Sequence, residues 1–158
     1  MAYGTLDELN SFIGLLRLHV SDRVKVREHL ERVQEDLFVL GALLATPPDR
    51  IALLDKKMTM TTWSLEAMEN DIDRLSTLAP SMKNFVLPGG APASAYAHVA
   101  RTVCRRAERE VVLLAAEEKV DTKVISYLNR LSDWLFALAR AENTLEGVKD
   151  IEWIPDKD

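Results

Sequence analysis

Apolar residues recur along this chain with a helical period, and the pattern breaks only at prolines, glycines or small clusters of capping residues. Leu6, Leu9, Ile13, Leu16 and Val20 form one stripe, and Thr5 with Glu8 three residues on reads as a capping box, which predicts a first helix over 5–20. Asp7, Asn10 and Gly14 lie beside that stripe as a small polar face that could meet a partner. Val26, Leu30, Val33, Leu37, Leu40 and Leu44, broadened by Phe38, predict a second helix over 22–45, begun at Ser21 or Asp22 and stopped by Thr46-Pro47-Pro48. Residues 49–61 read as a loop with room for one helical turn. A third helix is predicted over 62–78, with Leu65, Met68, Ile72 and Leu75 inward.

The fourth, over 93–118, carries a seam of small residues, Ala93, Ala97, Ala100 and Ala107, and an apolar face through Val99, Val103, Ala107 and Val111. Asp121 caps the fifth, 121–145. Its inward stripe is Val124, Leu128, Leu131, Leu135 and Leu138, and Asn129, Asp133, Phe136 and Arg140 run along the other side. The tail 147–158 is expected to be extended. No stretch predicts a strand, so the expected architecture is an all-α five-helix bundle in one domain over 1–158. The connection 79–92 stands apart, because Asn84-Phe85-Val86-Leu87-Pro88-Gly89-Gly90 places apolar residues where no helix can form. Such a loop is either tucked against the core or held ready for a ligand, and the residues alone leave both open.

Composition narrows the function classes. A chain of 158 residues can bury a core without disulfides or a structural metal. With 25 acidic against 20 basic side chains, general affinity for nucleic acid or an anionic membrane is not expected. No apolar run reaches membrane length, no signal-peptide pattern opens the chain, and the single cysteine suits a reducing compartment, so the expected location is cytoplasmic. Against the acidic background, four arginines fall within Arg101-Thr-Val-Cys-Arg-Arg-Ala-Glu-Arg109. Arg101, Arg105 and Glu108 share one helical face, with Arg109 on its border. Like charges at i,i+4 oppose helix formation by a few tenths of a kcal/mol, roughly, so this face calls for anionic company. Carboxylates such as Asp7, Asp133 or Glu108 could supply it and fix helix register, or the phosphates of a nucleotide could. His19, His29 and His98 have no metal-ligand spacing, and neither a P-loop nor a Glu-x-x-His pair occurs, so no metal site is expected. Cys104, near the apolar face, reads as a buried small hydrophobe rather than a nucleophile.

Four stretches, in order, resemble the PduO-type ATP:cob(I)alamin adenosyltransferases: Tyr3-Gly-Thr-Leu-Asp-Glu-Leu-Asn10, Phe85-Val-Leu-Pro-Gly-Gly90, Arg101 to Arg109, and Asn129-Arg-Leu-Ser-Asp-Trp-Leu-Phe136. The resemblance runs from Tyr3 to about Pro155. It implies a homotrimer of five-helix bundles with active sites between subunits. The reaction it implies moves the 5′-deoxyadenosyl group of ATP, with Mg2+, onto the cobalt of cob(I)alamin and releases inorganic triphosphate. By the same resemblance Arg105 would contact the ATP phosphates, and Asn129 and Glu108 would help hold the nucleotide. Asp7 and Arg101 would form a salt bridge across the subunit interface, and Phe85 would sit against the lower face of the corrin and displace its dimethylbenzimidazole ligand. Arg106 and Asp133 also fall on motif positions. A cobalamin reductase and an adenosylcobalamin-dependent enzyme are the partners such chemistry implies. Family members carry a glycine- and threonine-rich segment with a lysine ahead of the first stretch, whereas this chain opens Met1-Ala2-Tyr3. The expectation is a nucleotide site lacking that segment, with a non-catalytic corrinoid-binding or carrier trimer as the alternative reading.

Overall fold

The apolar stripes predicted from the sequence supply most of one buried core shared between the helices. The computed structural model describes residues 2–47, 49–53 and 64–155; the rest of the expected 49–61 loop, the first two residues of the predicted third helix and the end of the tail lie outside them. The described residues form five α-helices: α1 (Ala2–His19), α2 (Arg27–Ala45), α3 (Leu65–Leu78), α4 (Pro92–Glu117) and α5 (Thr122–Leu145). Short 3-10 turns cover Asp22–Val24 and Ile51–Leu53. The helices pack in the order α2, α1, α4, α5, α3, so α4 and α5 are the central pair. The alanine seam of α4 is buried, and with no bulk beyond Cβ it lets the flanking helices approach closely. Leu128, Leu131, Trp134, Leu135 and Leu138 of α5 are buried in the same core; each such side chain contributes roughly 1.5–3 kcal/mol by leaving water. Among the described residues no helix is long and apolar enough to cross a membrane.

Three expectations are corrected. The first helix begins at Ala2, not Thr5. The Thr5 hydroxyl donates to Glu110 Oε2 at 2.8 Å, and Glu8 pairs with Arg106. Both partners lie on α4, so the residues that look like a capping box tie two helices together. The second helix does not begin at Ser21 or Asp22. The Ser21 hydroxyl accepts from the Arg23 N–H, and the turn it caps ends at Lys25 in the left-handed region, φ 56°. A non-glycine residue there breaks the helical run, and α2 starts only at Arg27. Third, Phe38 is 68% exposed, and Leu65 and Val99 also face outward, so none of the three joins the core stripe assigned to it. Of the polar face on α1, Asn10 is buried and donates to the Gln34 carbonyl at 3.1 Å, while Asp7 stays exposed.

Two buried carboxylates fasten the helices in different ways. Asp71 on α3 accepts from the Trp134 indole N–H at 2.7 Å and from Arg74 Nε at 2.6 Å, and its Oδ2 lies 3.2 Å from His29 Nδ1. Burial by itself would raise its pKa, but hydrogen bonds from His29, Arg74 and Trp134 and the charge of Arg74 bring it down to about 2. Glu142 on α5 is completely buried; its Oε1 accepts from the Ser21 N–H at 3.0 Å, and among the described residues its Oε2 has no hydrogen-bond partner. Burial pushes its pKa from 4.5 to about 7, against the lowering effect of the Ser21 N–H. An acid with a raised folded-state pKa holds its proton more tightly in the native protein. Its contribution to stability is therefore complete below pH 4.5 and lost as pH rises through about 7. Glu142→Gln, which keeps an acceptor for Ser21 without the charge, is expected to raise stability at pH 8 by about 1–2 kcal/mol. It should also flatten the pH dependence between 5 and 8 in urea titrations, whereas an unchanged slope would show that Glu142 does not titrate there.

Candidate active site

The arginine-rich face of α4 opens into a cavity of about 410 Å3 between α3, α4 and α5. Its walls include Arg101 and Arg105 from α4, Arg130, Asp133, Phe136 and Arg140 from α5, and Ile72 and Ser76 from α3. The helical spacing accounts for this gathering. Asp133, Phe136 and Arg140 follow at three and four residues along α5, as Arg101 and Arg105 do along α4, so the two rows face each other across one groove.

The charges in the groove are unevenly matched. Arg130 pairs with Glu69 at 2.8 Å and with Asp133 at 3.6 Å. Glu108 accepts from the Asn129 amide at 3.0 Å, which brings those two predicted site residues together. Among the described residues, neither Arg101 nor Arg105 has a carboxylate within ion-pair distance. The carboxylates that could have consumed them are engaged elsewhere or lie on another side of the chain. Asp133 is turned to Arg130, Glu108 to Asn129, and Asp7 sits exposed on α1, which packs on α2 and α4 and forms no wall of this cavity. Within one chain, then, Asp7 and Arg101 do not meet.

Arg101 is held as though for an anion. Its Nε is buried and, among the described residues, has no hydrogen-bond partner, and its guanidinium carbon stands 6.0 Å from the centre of the Phe136 ring. Burial, then the charge of Arg105, lowers its pKa from the usual guanidinium value. His98 lies one turn before Arg101, almost wholly buried and edge-on to Phe136 at 6.0 Å. Burial first, and the Arg101 charge second, bring its pKa down to about 4, with Asp150 opposing, so the imidazole is neutral at physiological pH. Cys104 offers no nucleophile: its Sγ lies 3.2 Å from the Leu128 carbonyl oxygen, and burial pushes the thiol far up.

Phe85 is 74% exposed, so the loop that carries it is not folded into the core. Ala79, where that loop leaves α3, lines the cavity together with Arg140, and Arg140 Nη2 donates to the Pro80 carbonyl at 2.7 Å. The loop thus starts at the cavity rim. The tail pairs with it: Leu87 N–H donates to the Ile151 carbonyl at 2.8 Å, and Trp153 N–H to the Phe85 carbonyl at 2.7 Å. Sequence reasoning met Phe136 and Arg140 on one helix face, Arg130 only inside a motif stretch and His98 only as a histidine without metal-ligand spacing, and it passed over Asn143 and Asp150.

The geometry has known counterparts. A sequence model of the family described as cobalamin adenosyltransferase matches residues 1–142. The corrinoid adenosyltransferase of Bacillus subtilis is 41% identical over 155 residues, which cover 96% of this chain and 78% of that protein. The cobalamin adenosyltransferase of Cupriavidus metallidurans is 40% identical over 153 residues, 97% of this chain and 79% of its relative. Among solved structures, a phenylalanine-to-alanine variant of the PduO-type ATP:corrinoid adenosyltransferase from Lactobacillus reuteri, complexed with cobalamin and ATP, superposes with a TM-score of 0.86 at 37% identity. That match covers 96% of this chain and 83% of the other.

Proposed function

The chain belongs to the cobalamin adenosyltransferase family, and from that premise we propose that it is an enzyme that transfers the 5′-deoxyadenosyl group of ATP to cob(I)alamin. Cobalt(I) supplies both electrons of the new cobalt–carbon bond. The 5′ carbon–oxygen bond breaks, and its electron pair departs on inorganic triphosphate. The nucleophile needs no base to activate it, so the absence of a reactive histidine or thiol in the groove is consistent with the chemistry. What the protein must provide is alignment of cobalt with the 5′ carbon, exclusion of water and neutralisation of the leaving group.

The observation that carries this reading is the pair Arg101 and Arg105, which face a cavity and, among the described residues, have no carboxylate within ion-pair distance. Arg105 is assigned to the triphosphate, Asn129 and Glu108 to the nucleotide, and Arg101 to Asp7 of an adjacent copy in a homotrimer. Such an interface fits the exposed Asp7, the orphaned Arg101 Nε and the apolar Leu18 and Phe38 left on the surface. Magnesium is assigned to the ATP phosphates, where it keeps most of its water; among the described residues no three metal-ligating side chains gather to hold it alone. Phe85 is assigned to the lower face of the corrin. The protein works in the cytoplasm under this reading, with a reductase supplying cob(I)alamin.

The deciding experiment is an anaerobic assay with MgATP and chemically reduced cob(I)alamin, followed by absorbance, with triphosphate measured alongside. Adenosylcobalamin and triphosphate should form in equal amounts. Corrinoid binding without turnover would identify a carrier instead. Phe85→Ala is expected to slow turnover of cob(II)alamin plus reductant about tenfold more than that of pre-reduced cob(I)alamin, because only the former must lose its lower ligand at the protein. Equal losses on both would remove Phe85 from that role.

A further inference from the structure

An aromatic side chain that is 74% exposed cannot be oriented by its own packing, so something else must fix where Phe85 points. The structure contains one arrangement suited to this. Asn143, near the end of α5, is almost fully buried. Its Oδ1 accepts from the Ala91 N–H at 2.8 Å, and its Nδ2 donates to the Gly89 carbonyl and to Asp150 Oδ1, each at 3.0 Å. The Pro88-Gly89-Gly90 turn wraps so closely around this carboxamide that a Cβ on Gly90 would lie 2.3 Å from Asn143 Oδ1, and Gly90 itself adopts φ +108°. Asp150 passes the restraint on, since its Oδ2 accepts from Arg140 Nε at 3.0 Å and Arg140 also holds Pro80.

The consequence is a closed frame. One helix holds the loop at Pro80 and again at Gly89 and Ala91, and the same polar set pins the tail at Asp150. From there the tail runs antiparallel to Phe85, Val86 and Leu87 through the two backbone hydrogen bonds already described and through Asn84 Nδ2 to Glu152 Oε2 at 2.8 Å. Gly147 at φ +69° makes this return possible: its N–H donates to the Thr144 carbonyl, and the Val148 N–H to Asn143 O, ending α5 in a Schellman turn that aims the tail back at the loop. We infer that Asn143 is a positioning residue for the reaction, acting through the Gly89–Gly90 turn and Asp150 to hold the backbone that presents Phe85. The inference rests on the corrin assignment of Phe85 for its effect on turnover, but not for its geometry.

Asn143→Asp tests it, because the introduced carboxylate keeps the size of the amide yet turns a lone pair toward the Gly89 carbonyl and a negative charge toward Asp150. Gly90→Ala attacks the same contact from the exposed loop and leaves the Asn143 side chain itself unchanged. Each is expected to speed hydrogen exchange of the Leu87 and Trp153 amides while helical circular dichroism is retained. Each should lower the ratio of cob(II)alamin to cob(I)alamin turnover by about tenfold, as a displaced reacting group does. In the electron paramagnetic resonance spectrum of bound cob(II)alamin, nitrogen splitting from the lower ligand should reappear. Wild-type exchange at both amides in both variants would overturn the inference, as would a wild-type turnover ratio in both when Phe85→Ala has lost it. Should Phe85→Ala itself keep the ratio, the corrin assignment fails, and amide exchange alone decides whether Asn143 holds the loop.

Discussion

Replacing Arg105 by alanine is expected to weaken ATP binding by about a hundredfold while leaving the fold of the chain intact. A guanidinium fork makes two charge-assisted hydrogen bonds to a phosphate, together on the order of 3 kcal/mol net, and each 1.4 kcal/mol is about tenfold in affinity. The fold is spared because Arg105 is exposed and, among the described residues, forms no ion pair that its loss would orphan. Its removal also relieves Arg101, whose pKa is lowered by burial first and by the Arg105 charge second. Arg105→Lys should fall between, with about a tenfold loss, since an ammonium keeps the charge without the planar fork. Isothermal titration with MgATP and a melting curve on the same samples check both halves. Wild-type affinity in the alanine variant would mean that the phosphates sit elsewhere.

The largest effect on stability is expected from Asp71→Ala, a loss of about 3 kcal/mol, or roughly 10 °C in Tm for a domain of this size. The carboxylate joins α3 to α5 through Trp134 and to the turn before α2 through Arg74, whose Nη1 also donates to the Val24 carbonyl at 3.0 Å. Without it, the indole N–H of a completely buried tryptophan loses this carboxylate acceptor, and a hydrogen bond to a charged group contributes about 1.5–3 kcal/mol. Acid should reproduce part of the loss. The folded-state pKa lies below the ordinary 3.8, so the contribution is present above 3.8 and disappears as pH falls through about 2. Acid unfolding of the parent protein should therefore be steeper between pH 4 and 2 than that of the alanine variant. Parallel curves would assign the acid sensitivity to other carboxylates.

How far the site could be read depended on the kind of signal each residue leaves. Arg101 and Arg105 were visible because two arginines one turn apart need an explanation in any helix. Phe85 was marked by its place in an apolar loop, and only the resemblance gave it a role; Asn129 stood out as a site residue through the resemblance alone, since a lone asparagine has no period. Asn143 and Asp150 were not visible. They are seven residues apart across a helix end, and what joins them to Gly89 and Pro80 is a folded-back chain that no local pattern encodes. Thr5 and Glu8 show the opposite failure: their spacing is that of a cap, and tertiary partners on α4 claimed both.

Local chemistry in the sequence determined the class and most of the architecture of this protein. Apolar residues at helical spacing must be buried, which commits the chain to helices; Asp121 caps α5 with a side-chain oxygen, and Pro92 opens the first turn of α4. Tertiary structure alone decided which charges stay unsatisfied. The fold turned Asp133 to Arg130 and Glu108 to Asn129 and left Arg101 and Arg105 facing an open groove. It also decided that the apolar loop stays outside the core, propped by a buried amide and paired with the tail. Burial is a short-range consequence of spacing along one helix, whereas the pairing of charges and loops depends on residues that only the packing of distant segments brings together.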